Sequence, residues 1–324
     1  MLRCLKNSIC GALLLPMLFS LVGCQKEDTT VYVTEYEKRH YNQAMYWGSF
    51  FAENLCVTDS DIALEGYPTD PQLHAVGMFD VTDQKVLYAQ NLFGQLYPAS
   101  TTKILTAYVA LKYGNPDDII TVSENAVKLD KDAILSGIKP GDQLTLRDLL
   151  NGLLLASGND CALSIAEYIS GSEETFVALM NEEAKKIGAT GTHFCNPHGL
   201  HSPDHYTTAY DLYLIFQACI QNEEFLNIIS QASYTANITN PATGARTINW
   251  RPTNYYSLGK INAPEGVRVL GGKTGTTDEA GCCVILYEEG ADGKGYITVV
   301  MGAGNRDILY ANTNALMQSG IVNQ

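Results

Sequence analysis

"YPASTTKIL", residues 97–105, sets a serine, Ser100, three positions ahead of a lysine, Lys103, at the head of an apolar run. The fold turns on how this stretch is read. On a helix, positions i and i+3 share a face, so hydroxyl and amine would meet. A serine hydroxyl is a weak nucleophile until a base takes its proton. Lysine is such a base only when burial or nearby positive charge destabilises its ammonium. A helix start adds backbone N–H groups and a positive dipole end. The plainer reading is a capping serine beside a solvated lysine, and Ser-x-x-Lys alone does not separate the two.

Outward from this stretch the elements come in blocks. Before it, "HAVGMFDV" (74–81) and "KVLYAQN" (85–91) read as a hairpin across "TDQ". The stretch itself continues as a helix over 100–114, apolar at 104, 105, 108, 109 and 111, with Gly114 as its stop. Helices follow in "TLRDLLNGLLLAS", where Thr145 and Asp148 have capping-box spacing, then "DCALSIAEYIS", "SEETFVALMNEEAKKIG" and "TTAYDLYLIFQACIQ". Strands return in "RTINW", "VRVLGGKTG", "GCCVILYEE" and "KGYITVVMG", the last two joined by the turn "GADG". A helix over 306–322 closes the order. Strands from both chain ends around a helical block predict an α+β fold with a mainly antiparallel sheet.

Two further short motifs carry polar groups. Ser157-Gly158-Asn159 lies between two helices, where a loop projects a hydroxyl and an amide, or simply makes a turn. Lys273-Thr274-Gly275 follows an apolar strand; Gly275 lets backbone approach a ligand closely, or the motif is only a strand end at the surface. In this order the three form the Ser-x-x-Lys, Ser-x-Asn, Lys-Thr-Gly set of penicillin-interacting serine enzymes. The Ser-Gly-Asn variant and its surroundings resemble the serine D-alanyl-D-alanine carboxypeptidases, the low-molecular-mass penicillin-binding proteins. The resemblance runs through "YPASTTKILTAYVAL", "LLLASGNDCALSIAEYISGS", "FVALMNEEAKKIGATGTHFCNPHGL", "HYTTAYDL" and "GGKTGTTDEAGCCVILY", over about residues 72–320.

The resemblance implies a β-lactamase/transpeptidase-like fold and a full set of roles. Ser100 would attack the carbonyl of the penultimate D-alanine of a peptidoglycan stem peptide, and Lys103 would accept its proton. Ser157 would help pass that proton to the leaving D-alanine, and Asn159 would hold the substrate amide. Lys273 would lower the Lys103 pKa and attract the terminal carboxylate, with Thr274, Gly275 and Thr276 lining that subsite. The oxyanion would be held by the N–H groups of Ser100 and Thr276. Penicillins would acylate Ser100; no metal or organic cofactor is implied. Cys282 stands where relatives often carry an aromatic residue.

The chain has 324 residues, 46% of them apolar, and a formal net charge of −14, which disfavours nucleic-acid binding because phosphates would be repelled. Residues 1–23 carry Arg3 and Lys6, then an apolar stretch ending in Leu21-Val22-Gly23 before Cys24. This resembles a bacterial lipoprotein signal and predicts an extracytoplasmic protein held to the membrane by acyl chains on Cys24. Residues 24–72 read as a tether, with the turn formers of 57–72 as linker, and 73–324 as the catalytic domain. Many relatives add a β-rich domain and an amphipathic helix after the catalytic domain, and the reading places neither here. Cys56, Cys161, Cys195, Cys219, Cys282 and Cys283 form no CxxC pair, and Cys282 and Cys283 should face opposite sides of a strand.

Three rivals stay in view. A β-lactamase would need a carboxylate for its deacylating water, for which Glu223 in "EEFLN" is the candidate, against its plain reading as a solvated helix residue. A silent lipoprotein would only bind wall peptide. A zinc enzyme would use His193, His198, His201 and His205, against their reading as structural histidines.

Overall fold

The computed structural model describes residues 54–323. The leader, Cys24 and the tyrosine-rich stretch up to residue 53 lie outside the described residues. In chain order come β1 (Ala75–Asp80), β2 (Lys85–Gln90), a 3-10 turn (Ala99–Thr102) running into α1 (Lys103–Tyr113), β3 (Ile119–Thr121) and β4 (Gln143–Thr145). Then follow α2 (Leu146–Leu154), α3 (Asn159–Ser170), α4 (Glu173–Ile187), α5 (Ala209–Cys219) and α6 (Glu223–Ile229). The chain closes with β5 (Tyr234–Asn240), β6 (Gly244–Trp250), β7 (Val267–Thr277), β8 (Gly281–Gly290), β9 (Gly295–Ala303) and α7 (Arg306–Met317).

The fold is α+β, with strands from both ends of the described chain in one antiparallel sheet ordered β2-β1-β9-β8-β7. Both faces of this sheet are covered, which is why β9 reads as an almost unbroken apolar run. Ile297, Val299 and Met301 belong to the core shared with the helical block, which includes Ile104, Leu105 and Leu212, while Val300 and Ala303 belong to a second core with Leu309 and Leu316 of α7. The same alternation separates the neighbouring thiols: Cys283 enters the first cluster and Cys282 the second. The Thr145–Asp148 capping box forms as its spacing predicts, with the Asp148 N–H donating to Thr145 Oγ1 and the Thr145 N–H to Asp148 Oδ2. That arrangement contributes about 1 kcal/mol to α2.

Two sequence expectations change. "RTINW" does not join the main sheet; as β6 it pairs with β5 in a second sheet ordered β3-β4-β5-β6. β3 and β4 are three residues each, too short for a period to register, and β5 is mostly polar, with Ala236 and Ile238 as its buried apolar residues. The stretch 57–72 is not free linker. Ile62 bridges to Ala89, Leu64 to Tyr67, and Tyr67 stacks edge-on against Tyr88 at 4.8 Å. Its turn formers bend a segment that follows the body rather than leaving it. Just upstream, Cys56 is fully buried: its N–H donates to Tyr213 Oη at 2.8 Å, and Tyr210 Oη–H donates to its carbonyl at 2.8 Å.

Tyr213→Phe strands the buried Cys56 N–H and is expected to cost about 1–3 kcal/mol. Limited proteolysis should then cut within 54–72 faster than in the wild type. Unchanged cleavage there would show that this bond does not hold the segment down.

Candidate active site

The site begins with the turn that carries Ser100. Ala99–Thr102 form one turn of 3-10 helix before α1 starts at Lys103. In a 3-10 turn residues i and i+3 eclipse, so Lys103 lies over Ser100 more directly than on an α-helix. Ala99 sits at φ +47, a left-handed conformation that costs an L-residue about 1–2 kcal/mol. Two walls hold it there. A Cβ on Gly199 would fall 1.9 Å from the Ala99 carbonyl oxygen, and one on Gly275 would come within 2.9 Å of the Ser100 nitrogen. Only glycine lets both backbones come so close.

Lys103 is completely buried. Its Nζ lies 3.1 Å from Ser100 Oγ, 2.7 Å from Asn159 Oδ1 and 2.5 Å from the His198 carbonyl oxygen. Burial pushes the ammonium well below its ordinary value, and the charge of Lys273 pushes it further. A neutral amine has two N–H bonds and one lone pair. The two carbonyl oxygens take the N–H bonds, and the lone pair is left for the Ser100 O–H. This is the geometry of a nucleophile and its base.

Ser157, Gly158 and Asn159 join α2 to α3. Ser157 is held at φ +60, another left-handed non-glycine residue, which turns its hydroxyl toward Lys273. Lys273 Nζ donates to Ser157 Oγ at 3.0 Å and to the Thr274 carbonyl at 2.8 Å, and the side chain is 1% exposed. Burial lowers its pKa to about 7. Lys273 is not at a strand end; it lies inside β7, the edge strand of the sheet. A bulge between Val269 and Gly271 resets the alternation of β7, so that Gly271, Lys273 and Gly275 point inward.

An open cleft of about 530 Å³ is lined by Ser100, Asn159, His198 and Thr276, with Asp130 and Glu279 among the acids at its rim. Lys103, Ser157 and Lys273 lie buried behind this surface, and Thr274 Oγ1 is engaged with Thr253 Oγ1 at 2.6 Å. The structure thus gathers Ser100, Lys103 and Asn159 in one contact set and Ser157 and Lys273 in a second, joined by the Ser-Gly-Asn turn and by the charge of Lys273 acting on Lys103, and it sets Gly275 and Thr276 beside them. Cys24 lies outside the described residues.

Some contributors were invisible in the sequence. The His198 carbonyl accepts from Lys103, but every residue has a carbonyl and nothing marks this one. Asp160 accepts from the N–H and Oγ–H of Ser136 and from the Cys161 N–H, while the Asn159 N–H donates to the Ile134 carbonyl. These bonds dock the 134–136 segment against the Ser-Gly-Asn turn; their only sequence signal was the acid directly after Asn159.

The histidines do not assemble as metal ligands; among the described residues no group of three or more His, Cys, Asp or Glu could hold a metal ion. His198 Nδ1 accepts from the Leu200 N–H, and His205 Nδ1 accepts from the Cys195 N–H. Burial lowers both rings to about 3, so they stay neutral hydrogen-bonding groups. Glu223 is the exposed first residue of α6 and does not line the cleft.

Comparison with known proteins agrees with this geometry. Residues 67–305 match the peptidase S11 family, described as D-alanyl-D-alanine carboxypeptidase. The chain belongs to this family. It is 34% identical over 271 residues to the D-alanyl-D-alanine carboxypeptidase DacD of Escherichia coli (strain K12), covering 79% of this chain and 65% of that protein. It is 33% identical over 285 residues to DacD of Salmonella typhimurium, covering 84% of this chain and 69% of that one. The crystal structure of the Streptomyces K15 DD-transpeptidase superposes with a TM-score of 0.73 at 26% identity, over 79% of this chain and 99% of that one. The sheet and helical block are therefore those of the DD-transpeptidase fold.

Lys273 ties the site to stability. Its pKa is about 7 in the folded chain and near 10.4 in an unfolded one. Below about pH 7 both states hold the proton, and the penalty of burying the ammonium is fully present. Between the two values the unfolded state binds more protons, so stability rises with pH. In urea unfolding, wild type minus Lys273→Met should grow by on the order of 3 kcal/mol between pH 6.5 and 9.5. A flat difference would show that Lys273 keeps its ordinary pKa.

Proposed function

We propose that this chain is a serine D-Ala-D-Ala carboxypeptidase, which removes the terminal D-alanine of peptidoglycan stem pentapeptides through an acyl-enzyme on Ser100. The observation that carries this reading is the buried Lys103 amine, 3.1 Å from Ser100 Oγ, with Asn159 Oδ1 and the His198 carbonyl placed to accept its N–H bonds once it is neutral. Lys103 takes the Ser100 proton as Oγ attacks the carbonyl of the penultimate D-alanine. The N–H groups of Ser100 and Thr276 receive the oxyanion; a donor of this kind is worth about 3–4 kcal/mol of barrier. The oxyanion collapses, the C–N bond breaks, and the departing amine takes the proton that Lys103 had accepted, passed on through Ser157, which Lys273 holds at 3.0 Å, so that Lys103 is neutral again. Asn159 steadies the substrate amide. Lys273, Thr274 and Thr276 receive the terminal carboxylate, and that anion favours the charged form of Lys273. Water then attacks the ester, with Lys103 again as base, and frees Ser100. Penicillins enter as acyl donors at the same hydroxyl.

Membership of the S11 family and the intact motif set support this reading over a silent binder. Glu223, exposed and away from the cleft, gives no support to a lactamase. The leader ending at Cys24 supports an extracytoplasmic protein anchored to the bacterial membrane by lipid on that cysteine, with the segment after it as tether.

The decisive assay is free D-alanine from a stem pentapeptide. The wild type should release it, and Ser100→Ala should be slower by at least roughly a thousandfold. Comparable release by the variant would refute the nucleophile. For the anchor, the exported wild-type chain should pellet with membranes and Cys24→Ala should stay in the supernatant; identical partition of the two would refute lipidation at Cys24.

A further inference from the structure

We propose that His205 and Thr102 are positioning residues for the oxyanion pocket: together they hold the Ala99 carbonyl and so aim the Ser100 N–H into the cleft. The proposal rests on Ser100 acylation as argued above. It concerns two residues that make no contact with the cleft, since neither lines it.

The 99–100 peptide is a rigid plane with the Ala99 oxygen on one edge and the Ser100 N–H on the other. Whatever fixes the oxygen therefore fixes the direction of the N–H. Ala99 is held in a left-handed conformation, φ +47, that it does not adopt unaided, so the plane needs a restraint. Thr102 supplies one by donating its hydroxyl hydrogen to the Ala99 oxygen at 2.8 Å. That hydroxyl has only one hydrogen, so it must accept from its other neighbour, His205 Nε2, also at 2.8 Å.

The imidazole can donate there because its other nitrogen is engaged as an acceptor. The Cys195 N–H donates to His205 Nδ1 at 3.0 Å, which leaves the ring proton on Nε2. The direction is then unambiguous: Cys195 N–H to His205, His205 N–H to Thr102, Thr102 O–H to the Ala99 carbonyl. Each donor polarises the next, and the last bond draws electron density toward the Ala99 oxygen. That makes the Ser100 N–H a better donor to a developing oxyanion. Ala99, Thr102 and His205 are each at most 2% exposed, so water does not compete for these bonds. Phe194 packs edge-on against the His205 ring at 5.4 Å and fixes its plane.

The test uses benzylpenicillin acylation of Ser100, followed by mass, together with kcat and KM on a stem pentapeptide. Rates are expressed per acylatable site. Thr102→Val keeps the side-chain shape and removes the hydroxyl. It should slow acylation and kcat by roughly tenfold to a hundredfold, less than the ~10²–10³ lost when a donor is deleted outright. KM should change by no more than about twofold, because no substrate contact is lost. Thr102→Ser should recover most of the rate. His205→Asn, whose Oδ1 can still accept from the Cys195 N–H but which cannot reach Thr102, should match Thr102→Val and serves if the valine variant does not fold. A merely structural role would lower the fraction of acylatable protein and leave the rate per site at the wild-type value; that result would overturn the proposal. Absence of any Ser100 adduct in the wild type would instead overturn the function on which it rests.

Discussion

Two lysine side chains share one dry pocket, and the architecture is arranged around their burial. Taking an ammonium out of water costs several kcal/mol unless acceptors replace the lost hydration. The pocket offers only neutral ones at the amines: the His198 and Thr274 carbonyls, Asn159 Oδ1 and two serine hydroxyls. Without a carboxylate partner, both amines are pulled toward the neutral form. For Lys103 burial is the main cause, and the charge of Lys273 adds to it. Both shifts are made by surroundings rather than by residue type, and they are what the proposed roles of base and electrostatic partner require.

Holding that pocket requires backbone where side chains would not fit and strain where glycine is absent. Gly199 and Gly275 bring two chain segments against the Ser100 turn. Ala99 and Ser157, both at positive φ, carry strain directly beside Ser100 and Lys273. The segment 195–207 restrains the turn from behind, through the His198 carbonyl on Lys103, the Pro197 carbonyl on Thr106 and His205 on Thr102. His198 and His205 act as a hydrogen-bonding frame behind the turn.

Local patterns were legible wherever one element was long enough to show a period or a cap. The β1–β2 and β8–β9 hairpins and the α2 cap fall where alternation, turn residues and Thr-x-x-Asp spacing put them. The second sheet escaped notice because β3 and β4 are three residues long and β5 is largely polar. The docking of 54–72 escaped for a related reason: its contacts are single bridges and the capture of Cys56 by two tyrosine hydroxyls. In the site, the three motifs named most of the polar side chains that the fold brings together, while the His198 carbonyl and the Asp160–Ser136 bonds carried no distinguishing residue pattern.

By itself the amino-acid sequence determined the chemistry available: which side chains occur, in what order, on which kind of element, and in a pattern shared with one enzyme family. Only the tertiary structure decided that Lys103 meets groups 56 and 95 positions away and that Lys273 meets Ser157 across 116 positions. The physical reason is that a lysine's acidity belongs to its surroundings. Solvated, both amines would be ordinary cations; enclosed by a sheet edge, two helix starts and a loop of carbonyls, both are drawn toward the neutral form.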